Sequence, residues 1–257
     1  YAWHADGSLV SGFPVAFRTH VTALLTIADL DGDAKLELLI GVSAWPPIGK
    51  FGVLSMEGTL RSGWPVELDS NPLGSAAVGD VDGDGAIEIA HLSEGALALR
   101  SADATLKAGF PIAPDRGHLF DGAVVFADLD GDRPGLELVV GDRTESETPG
   151  RPVAVRLWAF SATGVPLPGY PIAVSDEAAG LEAPVIGDLE GDGVLEIVLP
   201  VIGDGIVIVR PRDAEPTTKI THIDLSASVM LVDVDGDGEL EILADDRGSD
   251  LEPGYLR

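Results

Sequence analysis

Asp80-Val81-Asp82-Gly83-Asp84-Gly85-Ala86-Ile87-Glu88 is the stretch that decides the fold, because near-copies of it recur along the chain. The other four read Asp29-Leu30-Asp31-Gly32-Asp33-Ala34-Lys35-Leu36-Glu37, Asp128-Leu129-Asp130-Gly131-Asp132-Arg133-Pro134-Gly135-Leu136-Glu137, Asp188-Leu189-Glu190-Gly191-Asp192-Gly193-Val194-Leu195-Glu196 and Asp233-Val234-Asp235-Gly236-Asp237-Gly238-Glu239-Leu240-Glu241. Their first Asp residues are 51, 48, 60 and 45 positions apart.

A period near 50 residues matches one four-stranded blade of a β-propeller. A second motif keeps phase with the first: Gly12-Phe13-Pro14, Gly63-Trp64-Pro65, Gly109-Phe110-Pro111 and Gly169-Tyr170-Pro171, with each Pro 15 or 17 residues before the next acidic loop. Pro lacks a ladder donor, which suits an edge strand, and the aromatic ring is placed to wedge against a neighbouring blade. The fourth interval offers Pro211–Pro216 and no aromatic, so that edge is expected to differ. Apolar runs at Val21–Ala28, Leu36–Val42, Ala123–Ala127, Leu136–Val140, Val153–Phe160, Leu195–Ile202 and Gly205–Val209 are short, and none sustains a helical period.

The expected fold is therefore all-β: residues 1–257 as one propeller domain of four-stranded blades, with loops at 29–37, 80–88, 128–137, 188–196 and 233–241. The five repeats either close into a ring or form part of a larger propeller. A β-sandwich also uses short strands, but has no reason to repeat an acidic loop at this period. The opening Tyr1–Ser8 resembles the third strand and turn of a blade, as in Leu157–Gly164, and the chain is expected to stop after the second strand of the fifth repeat. The N-terminal strand could then complete the last blade and leave no open edge.

Charge narrows the partners. With 16 Lys and Arg against 43 Asp and Glu, the net charge of −27 excludes a phosphate backbone and favours cations. There is no Cys, hence no disulfide, thiolate site or cysteine nucleophile. No apolar run reaches the roughly 20 residues of a membrane-spanning helix. The start at Tyr1, without Met or leader pattern, reads as a fragment of a longer polypeptide.

Acidic side chains at loop positions 1, 3 and 5, a carbonyl near 7 and a carboxylate at 9 make an oxygen cage. The expected metal ligands are Asp29, Asp31, Asp33 and Glu37; Asp80, Asp82, Asp84 and Glu88; Asp128, Asp130, Asp132 and Glu137; Asp188, Glu190, Asp192 and Glu196; and Asp233, Asp235, Asp237 and Glu241. Leu30, Val81, Leu129, Leu189 and Val234 are expected to anchor each loop in the core. Hard oxygens in flexible geometry favour calcium over zinc or magnesium. The loop is no EF-hand, whose position 12 would be Glu; here it is Ile40, His91, Val139, Leu199 and Ala244. The loops contribute twenty of the 43 acidic residues, and up to five calcium ions would bring −27 to −17. The third loop, with Arg133-Pro134 and an extra residue, is expected to bind most weakly.

The five Asp-x-Asp-Gly-Asp-type loops and the Gly-aromatic-Pro segments resemble the FG-GAP and VCBS repeat families, which include the integrin α-subunit propeller. The Gly-aromatic-Pro variety is similar to repeats of bacterial secreted or surface proteins. The family often places Asp or Asn at position 9, where all five loops here carry Glu. The resemblance implies a secreted or cell-surface, non-catalytic module for adhesion, scaffolding, or protein or glycan binding. The alternatives are a propeller polysaccharide lyase or glycosidase, or an accessory domain of a secreted enzyme. Against catalysis, His4, His20, His91, His118 and His222 share no repeat position and no Ser sits in a nucleophile elbow. Trp3, Trp45, Trp64 and Trp158 are expected to serve blade packing, Trp64 above all, with stacking on sugars as the alternative. The irregular stretches Ser43–Lys50 and Asp142–Pro152 are candidates for specificity.

Overall fold

The computed structural model describes residues 1–16, 20–21, 25–43, 49–131, 135–145, 153–211, 215–221, 229–246 and 255–256. All regular structure among them is β, and every strand pairing is antiparallel. The chain divides into two compact units, Tyr1–Ala113 and Pro114–Arg257.

In the first unit, β1 (His20–Val21) and β2 (Thr26–Ala28) both pair with β3 (Glu37–Ser43), followed by β4 (Lys50–Ser55) and β5 (Val66–Glu67). Next come β6 (Pro72–Gly79), β7 (Glu88–Ser93) and β8 (Ala96–Ser101), with Ile112 bridging Leu97 on the outer edge. The second unit opens with β9 (His118–Ala127), β10 (Glu137–Thr144), β11 (Val153–Phe160) and β12 (Ile172–Ala178). Then β13 (Gly180–Leu181) and β14 (Val185–Gly187) pair with β15 (Glu196–Ile202), which continues to β16 (Gly205–Arg210) and β17 (Glu215–Ile220). Last are β18 (Met230–Val232) with β19 (Glu241–Leu243), and β20 (Asp245–Asp246) with β21 (Tyr255–Leu256). The repeat unit is thus an up-and-down sheet in sequence order, with its acidic loop joining the first strand to the second.

The repeats are welded by apolar faces on both sides of a sheet. On β15, Ile197, Leu199 and Val201 share a core with Val139, Leu157 and Ala159 of the preceding sheet, while Val198 joins Val229 and Ala244 of the following repeat. A period-two strand covered on both faces must be apolar throughout, which is why Leu195–Ile202 reads as a continuous run.

The Gly-aromatic-Pro segments at 63–65, 109–111 and 169–171 form a recurring corner, each Pro standing just before the outer-edge pairing that starts at Val66, Ile112 or Ile172. Trp64 is buried, donates Nε1–H to Ala102 O at 3.0 Å, and packs with Ile89, Ala102 and Ala104 of the next sheet. A Cβ on Gly63 would fall 2.4 Å from Asp103 O, so only glycine lets the corner approach that closely. The sequence places an aromatic wedge here, and Trp64 is one.

Two expectations need correction. The fifth repeat does not stop at its second strand, because Tyr255–Leu256 pairs with β20; two residues are too few to show a strand period. Val234 is not a core anchor: it is 60% exposed, whereas Leu30, Val81 and Leu129 are buried and Leu189 is half-buried. Leu30, Leu129 and Leu189 each share a core with the sheet of the following repeat, and among the described residues Val234 joins no such core. The fourth repeat's edge, which lacks the Gly-aromatic-Pro segment, is a six-residue strand with Pro216 accommodated beside a register shift.

Candidate metal centres

In all five repeats the closing Glu, position 9 in four loops and position 10 in the third, opens the second strand, directly across from the residue before the first Asp: Glu37↔Ala28, Glu88↔Gly79, Glu137↔Ala127, Glu196↔Gly187 and Glu241↔Val232. From there each Glu reaches back into the loop. Its Oε2 accepts the backbone N–H of position 2: Leu30 at 3.0 Å, Val81 at 3.0 Å, Leu129 at 2.8 Å, Leu189 at 2.9 Å and Val234 at 2.8 Å. Glu37, Glu88, Glu137 and Glu196 are buried, so this bond satisfies a donor that water would not reach. A residue placed by spacing as a metal ligand is therefore also the loop's internal clasp.

The first Asp organises the turn. Asp29 accepts Gly32 N–H at 2.8 Å and Ala34 N–H at 2.9 Å, and Asp233 accepts Gly236 at 2.6 Å and Gly238 at 3.1 Å. Asp80 and Asp188 take the corresponding N–H of Gly85 and Gly193, and Asp128 that of Gly131. Position 5 caps its own turn, as Asp33 does for Lys35 N–H and Asp84 for Ala86 N–H, both at 2.8 Å. That backbone bond, with the Lys35 ammonium, holds the Asp33 carboxyl below its ordinary range.

Carboxylate oxygens converge within 4.8 Å of one another in Asp29/Asp31/Asp33, Asp80/Asp82/Glu88, Asp128/Asp130/Glu137 and Asp233/Asp235/Glu241. Among the described residues, Asp188, Glu190, Asp192 and Glu196 form no such group, and Glu37, Asp84 and Asp237 lie outside the trios of their loops. Asp132 lies outside the described residues, as do Arg133 and Pro134. The donor sets fit a hard cation: three carboxylates per trio, no nitrogen or sulfur. In the second loop, Asp80 Oδ1 is buried without a hydrogen-bond partner, an arrangement that an ion or water must offset.

Spacing alone did not reveal the basic side chains at three of the loops. Arg61 pairs with Asp31 and Glu37, Lys107 with Asp82 and Glu88, and Arg210 with Glu190 and Glu196. The Lys107 ammonium, hydrogen-bonded first to Asp82, is held well above the usual lysine range, and in return lowers the Asp82 carboxyl. The only sequence signal was that Arg61 and Lys107 each stand two residues before a Gly-aromatic-Pro segment.

Away from the loops, Asp142 is fully buried, held by Arg156 through both oxygens at 2.9 and 2.5 Å and by Trp158 Nε1–H at 2.9 Å, with His118 Nδ1 3.4 Å away. Trp158 is part of this packing, stacked on Phe160 and covered by Arg156. Trp3 is exposed and stacked on Tyr1, and Trp45 lies outside the described residues. His91 is buried against Phe51, and His4 is exposed. His222 and the side chain of His20 lie outside the described residues, as do 44–48 and 146–152 of the two irregular stretches. No helix among the described residues is long and apolar enough to cross a membrane.

No family model and no curated protein sequence matches the chain. Solved structures do. The crystal structure of the V. cholerae biofilm matrix protein Bap1 is similar over 88% of this chain and 35% of that one, at 17% identity and a TM-score of 0.58. BBS1N in complex with ARL6DN is similar over 92% of this chain and 78% of that one, at 13% identity and a TM-score of 0.45. The chain spans about a third of the Bap1 chain, and that likeness is one of all-β fold.

Proposed function

We propose that this chain is a calcium-locked β-propeller module, secreted or at the cell surface, that presents a rigid non-catalytic surface to a protein or glycan partner in adhesion or scaffolding. The observation that carries the reading is the fivefold acidic hairpin, with carboxylate oxygens converging in four of its copies. Likeness to a biofilm matrix protein supports the extracellular placement and the adhesive role. The up-and-down sheets in sequence order, cored on both faces, are what propeller blades require.

Calcium would draw on Asp29, Asp31 and Asp33; Asp80, Asp82 and Glu88; Asp128, Asp130 and Glu137; and Asp233, Asp235 and Glu241. The ion would relieve repulsion among these carboxylates and tie the first strand of each sheet to the second. With dissociation constants of about 10–100 μM, roughly millimolar calcium would add about 1.4–2.7 kcal/mol per independent site. The test is calorimetric titration of calcium into chelator-stripped protein, followed by thermal unfolding with and without the ion. Uptake at several sites with a higher unfolding temperature is expected; no uptake would sink the calcium reading.

A further inference from the structure

In the first, second and fourth loops one basic side chain bridges the carboxylates of positions 3 and 9. Arg61 Nη2 lies 2.6 Å from Asp31 Oδ2 and Nη1 2.7 Å from Glu37 Oε1. Lys107 Nζ lies 2.8 Å from Asp82 Oδ2 and 2.9 Å from Glu88 Oε1. Arg210 pairs through Nη2 with Glu190 Oε2, and its Nε is 3.3 Å from Glu196 Oε1.

These charges reach the same spot by two routes. Arg61 and Lys107 occupy one place in the corner, where their backbone N–H groups donate to Val53 O and Leu99 O, each at 2.9 Å. The third repeat has Leu167 there, donating to Ala159 O. Arg210 comes instead from the end of β16: Ile197 pairs with Val209, which sets Arg210 alongside Glu196, where the other repeats place Ser55 and Ser101 opposite Glu37 and Glu88. Two unrelated positions supplying a cation to one location point to the location as what matters. In the fourth loop position 3 is lengthened to Glu190, which meets Arg210, and the carboxylates do not converge as in the other four. Among the described residues no Lys or Arg pairs with Asp233, Asp235 or Glu241 of the fifth loop.

Resting on the calcium reading above, we propose that Arg61, Lys107 and Arg210 are tethered counter-ions that compete with calcium for the carboxylates of their own loops. The fifth loop takes calcium most readily, the first and second take it only when their basic side chain swings out, and the fourth is held by its guanidinium in place of an ion. The physical ground is that an ammonium and a divalent ion cannot share the same oxygens at contact distance without strong repulsion. A side chain already attached gives up no overall translation on pairing, so its single charge competes beyond its size. Its flexible stem lets the head group move into water when displaced.

The test is calcium titration of the chelator-stripped full chain as wild type, Lys107→Met and Arg210→Met, with thermal unfolding in chelator and in millimolar calcium. Methionine keeps an apolar stem and removes the charge. Lys107→Met is expected to tighten one site roughly tenfold, within the range of measured couplings between ligands, and Arg210→Met to add a site. Both should unfold at lower temperature than wild type in chelator, and recover in calcium. Arg61→Met carries the same expectation as Lys107→Met should either of the others fold poorly. Calcium bound by wild type with unchanged or weaker binding in Lys107→Met overturns the competition and leaves the calcium reading standing. Equal destabilisation with and without calcium also overturns it. No binding by wild type or any variant overturns the calcium reading, and this proposal with it.

Discussion

The Glu88 carboxylate closes its loop by accepting the backbone N–H of Val81 at 3.0 Å, seven residues back, while its other oxygen faces Lys107. Because Glu88 is only 1% exposed, its removal orphans a buried donor and leaves the Lys107 ammonium with Asp82 alone. Glu88→Ala is expected to cost about 2–4 kcal/mol. Glu241→Ala, at a half-buried position of the exposed fifth loop, should cost about 1 kcal/mol. Urea unfolding of the two variants in chelator checks the ratio.

Position 6 of the loops offers a matched pair of backbone tests. Ala34 sits at φ 65°, where the second loop has Gly85 at φ 88°. A side chain in this left-handed region is strained by about 1–2 kcal/mol, part of which glycine returns through the unfolded chain. Ala34→Gly should therefore stabilise by about 0.5–1 kcal/mol. A Cβ on Gly85 would meet nothing within 4 Å, so Gly85→Ala should destabilise by about 1 kcal/mol through the backbone alone. Thermal unfolding of both variants reads the opposite signs.

His91 sets a pH dependence. Burial, with the Arg100 charge as a lesser cause, pushes its imidazole down to about 3, and Arg100 Nε donates to its Nε2 at 3.3 Å. The unfolded chain takes up the proton as pH falls through about 6.5, while the folded protein does not until near 3. Stability is thus complete above pH 6.5 and declines below it, by about 1.4 kcal/mol per pH unit from this group. Between pH 7 and 5.5, where ordinary carboxylates have yet to titrate, His91→Phe should flatten the slope. Denaturant midpoints across that range decide it.

Asp142 is fully buried, with Arg156 on both oxygens and Trp158 Nε1–H as a further donor. Asp142→Ala leaves that guanidinium without its buried partner and should cost about 3–5 kcal/mol. Asp142→Asn keeps the shape and one acceptor, and should cost less. Arg156→Met measured alone and with Asp142→Ala closes a double-mutant cycle, in which strong coupling is expected.

The repeat, the short strands, the hairpin placement of the loops and the aromatic wedge at Trp64 were all legible in sequence. Each depends on local chemistry repeated at a fixed phase: turn residues, period-two apolar runs, and acidic spacing. Val234 shows where local reading fails, since Leu30, Val81 and Val234 stand at one motif position and only the neighbouring strands decide which is covered.

For the loops, sequence alone determined that acidic side chains recur at fixed positions of each turn; which of them converge differs from loop to loop, with Asp33 in the first trio, Glu88 in the second and no trio in the fourth among the described residues. Tertiary structure decided what each carboxylate does there. The closing Glu is a clasp for a backbone N–H because antiparallel pairing sets it across the hairpin from the residue before the loop. Arg61, Lys107 and Arg210 become loop counter-ions because segments 14 to 24 residues beyond the closing Glu fold back beside the acidic turn. Ion pairing depends on distance through space, which chain spacing does not encode until the sheet is formed.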